Sequence, residues 1–145
     1  MNKVNIVCVG KIKETFYTDA VNEYIKRMSR FAKVSVLELP ERETPQKECD
    51  SILKAMKGYA VALAVEGEKT DSLTLAKKMR TLLDAGKELT FVIGSSCGLD
   101  ARVKAAADWK LSFSDMTFPH QLMRVILCEQ IYRAFMINAG SEYHK

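Results

Sequence analysis

The period of apolar positions changes repeatedly along this chain, and each change marks an element. Lys3–Val9 contains VNIVCV, a short β-branched run closed by Gly10, and predicts a buried strand. From Thr15 to Phe31 the period lengthens. Phe16, Ala20, Tyr24, Ile25, Met28 and Phe31 recur at threes and fours, as on a helix with one covered face. Val34–Leu39 predicts a second strand, stopped by Pro40. The charged stretch Pro40–Pro45 reads as a loop, and Pro45 suits the first turn of a helix to Lys57, closed by Gly58. Tyr59–Val65, YAVALAV, predicts a third strand, with Glu66-Gly67-Glu68 as the turn that follows it. Asp71 or Ser72 caps a helix to about Ala85, ended at Gly86. Leu89–Ile93 is a fourth strand and Gly94–Gly98, GSSCG, a loop. Asp100 caps a short helix through Ala107, Trp109–Phe113 is a fifth strand, and Pro119 opens a last helix ending near Asn138–Gly140.

Strands and helices alternate throughout, and the strands are nearly continuous in apolar residues. That combination predicts an α/β fold whose parallel sheet carries helices on both faces. No repeat, low-complexity segment or linker divides the chain, so residues 1–145 read as a single domain of ordinary size. The last helix is unusual because it is apolar on nearly every side yet holds Arg124, Glu129 and Arg133. A helix of that kind must be buried, and its charges need a partner or a task. A domain this small can scarcely cover it alone, which predicts a two-fold homodimer.

Composition narrows the picture modestly. The chain is 48% hydrophobic and 28% charged, ordinary for a globular protein. Its net charge of +4 is mild, with a local excess between Lys3 and Lys33 that could track a phosphate backbone or form a solvated helix face. No apolar run is long enough to span a bilayer, and the N-terminus lacks a signal-peptide layout, so a cytoplasmic protein without membrane association is expected. Cys8, Cys49, Cys97 and Cys128 form no CxxC pair and stand beside no histidine at ligand spacing. They read as reduced thiols, and no metal is expected. A phosphate loop of cysteine, five residues and arginine is excluded, because Glu14 and Val103 occupy the arginine places after Cys8 and Cys97.

In open α/β sheets, ligands lie beyond the carboxyl ends of the strands. The first strand is followed by Gly10-Lys11-Ile12-Lys13, with neither a dinucleotide fingerprint nor a P-loop, and no acidic receiver cluster. Gly94–Gly98 differs: two glycines allow close backbone approach and Ser95 and Ser96 add hydroxyls. The turns at Glu66-Gly67 and Ser114–Thr117 should converge on the same edge. Three such loops could hold an adenine or ribose through backbone groups, without charged side chains.

Three motifs then acquire a common meaning: FVIGSSCGL (Phe91–Leu99), LSFSDMTFPHQLMRVILCEQIYRAF (Leu111–Phe135) and the terminal YHK (Tyr143–Lys145). Together with the opening VNIVCVGKIKETFY they resemble, over essentially the full length, the small SPOUT-class methyltransferases that act on a pseudouridine of 23S ribosomal RNA at ring nitrogen 3. The resemblance implies a SPOUT fold with a C-terminal trefoil knot, a homodimer, and S-adenosylmethionine as cofactor. It also implies 23S rRNA within the assembled ribosome as partner.

Carried over by motif, cofactor contacts fall on Leu63, Gly94, Phe113, Ser114, Asp115, Met116, Thr117 and Phe118. The implied chemistry falls on His144, Arg133 and Tyr143. His144 is the candidate proton acceptor for the acceptor nitrogen. Arg133 is the candidate to stabilise an oxyanion or grip a phosphate, and otherwise an i,i+4 partner of Glu129. Tyr143 would stack on or hydrogen-bond the base. Lys145 would meet phosphate, while His120 reads as a packing residue at the helix start. The chain departs from the family pattern at Ala64, where an acid is frequent, at Ser95, where a second glycine is usual, and at Gly140-Ser141-Glu142, which replaces Asn-His-Pro. The last departure keeps a non-enzymatic RNA-binding module in view as the alternative.

Overall fold

A computed structural model describes residues 1–145. Its elements are β1 (Asn2–Val9), α1 (Thr15–Met28), β2 (Ala32–Leu39), α2 (Pro45–Ala55), β3 (Tyr59–Lys69), α3 (Ser72–Asp84), β4 (Leu89–Ile93), α4 (Ala101–Ala106), β5 (Trp109–Ser112) and α5 (His120–Asn138). The strands form one sheet in the order β2-β1-β4-β3-β5. All its pairings are parallel, as the unbroken apolar strands predict.

The connections through α1 and α3 run one way across the sheet, and those through α2 and α4 run the other. Right-handed crossovers therefore put them on opposite faces. Val21, Met28, Leu75, Met79, Leu127, Ile131 and Phe135 from α1, α3 and α5 pack with Ile6, Phe91 and Leu111 in one core. Cys49, Ile52 and Val103 from α2 and α4 pack with Val7, Val9, Ala62 and Val92 in the other. Strand β1 shows why: Val4, Ile6 and Cys8 enter the first core and Val7 and Val9 the second, the two-residue alternation of a strand covered on both sides.

Most boundaries fall within two residues of expectation, with two informative exceptions. Helix α1 stops at Met28, three residues before the expected Phe31. Phe31 lies beyond the helix, yet its ring stacks on Phe135 at 5.3 Å, so its apolar spacing served packing rather than the helix. Strand β3 continues to Lys69 where a turn was expected at Glu66-Gly67-Glu68. Its ladder with β5 jumps from Leu63 to Glu68, both opposite Leu111. The extension is exposed and charged, which hid it from a pattern search. Gly67 permits it, because a Cβ there would come within 2.7 Å of the Lys110 backbone.

Helix α5 lies against α1 and α3, and none of its residues is fully exposed in the single chain. One copy thus covers more of this helix than expected, although Leu122, Val125 and Ile126 stay only partly covered. Arg124 is 1% exposed. Its Nη1 donates to Glu38 Oε2 at 2.7 Å, and its Nη2 to the carbonyls of Val9 and Gly10 at 3.1 and 2.6 Å. Glu38 Oε2 also accepts the Ile12 N–H at 3.0 Å. Arg124 thereby ties α5 to the ends of β1 and β2, where the strands run out of their own partners.

Candidate functional site

The carboxyl ends of β3, β4 and β5 enclose a cavity of about 600 Å³, within the range of small-molecule sites. Its wall includes Leu63, Gly94, Phe113, Ser114, Met116, Thr117 and Phe118. Asp115 turns away instead, and pairs with Lys69. Gly94 lies so close to Gly98 that a Cβ would sit 2.7 Å from the Gly98 carbonyl oxygen, so any larger residue would displace the loop. Gly98 has φ +84°, the left-handed region that favours glycine. A Ser95–Gly98 bridge, with the Gly98 N–H on Ser95 O at 2.9 Å, closes the turn. At the other wall, Ser114 Oγ accepts the Met116 N–H at 3.0 Å. The cavity is thus lined by apolar side chains, ordered backbone and small hydroxyls, and, against the expectation of a wall without charged side chains, by Glu66 and Lys104.

Several wall residues were not singled out in sequence. Lys104, on α4, pairs with Glu66, and this ion pair holds the Glu66 carboxyl below its ordinary range. Glu66 belongs to a turn expected to converge here, whereas nothing in the spacing of Lys104 points to the site. Met123 and His120, from the first turn of α5, complete the wall, so His120, expected to pack at the helix start, also lines the cavity. No group of three or more His, Cys, Asp or Glu side chains is arranged to hold a metal ion.

The terminal residues are fixed by α5. Arg133 donates through Nε to Glu129 Oε1 at 3.1 Å and through Nη2 to Oε2 at 2.8 Å, a two-toothed grip within one helical turn. That hydrogen bonding raises the guanidinium's pKa from its ordinary value. The Tyr143 hydroxyl donates to Glu129 Oε2 at 2.8 Å, and its ring meets Tyr132 edge-on at 4.9 Å. Burial first, and then the bond to Glu129, pushes the Tyr143 phenol up to about 12. Arg133 Nη1 stands 3.1 Å from His144 Nδ1. A guanidinium can only donate, so Nδ1 accepts and the ring proton belongs on Nε2. Glu129 is the hub of this cluster, and its spacing to Arg133 was the visible signal.

The cluster and the cavity are neighbours. His144 lines a second cavity of about 440 Å³, with Thr70, Asp71, Ser72 and Gln130. Leu111, Phe113 and Phe118 belong to the walls of both cavities. Arg133, Tyr143 and Glu129 line neither, and Arg133 reaches this space through His144. Lys145 is exposed.

The chain is 51% identical to the ribosomal RNA large subunit methyltransferase H of Bifidobacterium animalis subsp. lactis, covering 98% of this chain and 99% of the relative. It is 45% identical, at the same coverage, to the protein of that name from Lactobacillus helveticus. Among solved structures, a probable methylase family protein from Haemophilus influenzae superposes with a TM-score of 0.62 at 8% identity, covering 99% of this chain and 71% of that one. The SpoU methyltransferase AviRb from Streptomyces viridochromogenes, solved in complex with AdoMet, superposes with a TM-score of 0.53 at 9% identity, covering 97% and 60%. At such identities these two likenesses establish the fold alone. The family described as predicted SPOUT methyltransferase matches residues 2–144, and the chain belongs to that family.

Proposed function

We propose that this protein transfers a methyl group from S-adenosylmethionine to N3 of a pseudouridine in 23S rRNA of the assembled ribosome. The observation that carries the reading is the common wall of the two cavities: Leu111, Phe113 and Phe118 separate a nucleoside-sized pocket from the pocket of His144. The names of the relatives support ribosomal RNA as the substrate. In this reading residues 1–145 form one domain, cytoplasmic and homodimeric, with the C-terminal part knotted. The partly covered Leu122, Val125 and Ile126 on α5 support a second copy.

The donor pocket would be formed by Leu63, Gly94, Phe113, Ser114, Met116, Thr117 and Phe118, with Asp115 holding the loop through Lys69. The missing Cβ at Gly94 lets the Gly98 backbone close in beside it, which sets the shape of the loop that would face a nucleoside. Once bound, the donor supplies a methyl group activated on a sulfonium. The chain must then remove the proton from the acceptor nitrogen and stabilise charge on the adjoining carbonyl. His144 and Arg133 divide these tasks. The Nδ1 lone pair of His144 is committed to Arg133 at 3.1 Å, so it becomes a base only when Arg133 leaves it. A swing of Arg133 toward the uracil carbonyl would free His144 and deliver a cation to the developing oxyanion together. Tyr143, kept protonated and bonded to Glu129, holds the tail in place, with its ring packed against Tyr132.

The test is incorporation of labelled methyl from S-adenosylmethionine into purified ribosomes, with mass spectrometry of 23S rRNA from cells lacking the gene. Loss of one methylated pseudouridine is expected. An unchanged rRNA, or label that enters protein instead, refutes the assignment of substrate.

A further inference from the structure

The Gly94–Gly98 loop is held from behind by a buried acid. Glu48, in the first turn of α2, is 1% exposed and enters no ion pair. Its Oε2 accepts the Arg42 N–H at 2.9 Å, and its Oε1 accepts the Ser95 hydroxyl at 3.3 Å. Ser95 Oγ accepts in turn the Cys97 N–H at 3.3 Å. A chain of donors thus runs from the Cys97 amide through the Ser95 hydroxyl to the Glu48 carboxyl, and Ser95, Ser96, Cys97 and Gly98 all line the larger cavity.

A carboxyl group so deep in an apolar layer is costly unless both oxygens are met by donors. Its neighbours on α2, Cys49 and Ile52, are fully buried apolar residues, so a leucine would serve packing alone as well. What an acid adds is a fixed acceptor facing the loop. A serine hydroxyl has one proton to give. Aimed backward at Glu48, it leaves the oxygen lone pairs for the Cys97 amide and fixes the turn whose closing residues are Ser95 and Gly98. The start of α2 favours negative charge at this position.

We propose that Glu48 is a positioning residue for the donor site, acting through Ser95 to hold Gly94–Gly98 in the shape that receives S-adenosylmethionine. The part concerning the donor rests on the function proposed above; the relay itself does not.

The experiment uses the full chain with Glu48→Leu, Glu48→Gln, Ser95→Ala and the Glu48→Leu/Ser95→Ala pair. Hydrogen exchange of the Cys97 amide, followed by NMR, reads the relay without any ligand. Calorimetric titration with S-adenosylmethionine and methyl-transfer kinetics read its consequence. Glu48→Leu and Ser95→Ala should each speed Cys97 exchange and raise the donor Kd by about tenfold, the scale of one lost hydrogen bond. The pair should be no worse than either alone, since both remove one connection. Glu48→Gln keeps one carbonyl acceptor for Ser95 but sets its NH2 against the Arg42 N–H, so donor Kd should stay within about threefold of the native chain while stability falls. Donor Kd should change more than kcat at saturating donor.

The proposal is overturned if Cys97 exchange and Kd hold constant while only thermal stability falls, or if the two substitutions multiply. Should Glu48→Leu not fold, Ser95→Ala carries the same test with the α2 core intact. A native chain that binds no S-adenosylmethionine overturns the functional reading instead, and the Cys97 exchange rates then decide the relay on their own.

Discussion

Two arginines on one helix have opposite surroundings. Arg124, in the first half of α5, is buried to 1% exposure and spends its terminal nitrogens on Glu38, Val9 and Gly10. Arg133, in the second half, has a side chain 25% exposed and is paired with Glu129, one turn away, and with His144. The first connects elements distant in sequence and has nowhere else to go. The second has a partner on its own helix and a side that water or a substrate can reach. Burial locks a charge into structure, whereas partial exposure leaves it able to exchange partners. The same guanidinium is a bolt in one place and a candidate for chemistry in the other.

The largest test of this contrast is Arg124→Met. It leaves the Val9 and Gly10 carbonyls and the Glu38 carboxylate without their buried donor, and should cost about 3–5 kcal/mol, the range for breaking a buried pair. Urea unfolding measures it; a loss below about 1 kcal/mol would mean that Arg124 is not the bolt described. Arg133→Met should do the reverse. Methyl transfer should fall about 100-fold or more, the cost of removing one oxyanion donor, with donor affinity retained. Stability should fall by about 1–2 kcal/mol, less than for Arg124→Met, since Glu129 keeps the Tyr143 hydroxyl and some access to water. A variant that unfolds like Arg124→Met would erase the distinction.

Tyr143→Phe sharpens the second half of the helix. It removes a hydroxyl bonded to Glu129 and should cost about 1 kcal/mol near neutral pH. The pH dependence follows from the raised phenol. A proton held more tightly in the folded state stabilises it fully below the ordinary tyrosine value of 10.0, and this contribution is lost as pH rises toward about 12. The gap between native chain and variant should therefore close over that window; a gap that widens contradicts the bond to Glu129. The smallest effect concerns thiols. Burial pushes Cys8 and Cys128 up to about 12 and raises Cys49, while Cys97 is exposed on the cavity loop. A thiol reagent should label the native protein once, at Cys97, with little change in stability.

Much of the scaffold was legible because its signals are local. Strands β1 and β4 are short apolar runs closed by glycine, Asp71 and Asp100 cap α3 and α4 as their positions suggest, and Pro119 precedes α5. The loop Gly94–Gly98 was visible as a turn, and strand order placed it on the ligand edge. The end of β3 is hidden from the pattern because its last residues are exposed and charged and pair with β5 through backbone alone. Lys104 carries no such signal, because its partner Glu66 lies 38 residues away.

By itself, the order of residues determined the alternation of strands and helices, the parallel sheet and the turns at its edge. These depend on side-chain period and on the φ preferences of glycine and proline, which act within a few residues. The tertiary structure decided the rest: Arg124 on Glu38, 86 residues away, Glu48 behind Ser95, 47 residues away, and the tail folded back onto Glu129. A charge in an apolar layer declares that it needs a partner. Which partner it finds is settled only when packing has brought distant segments together, because desolvation and hydrogen-bond geometry act through space rather than along the chain.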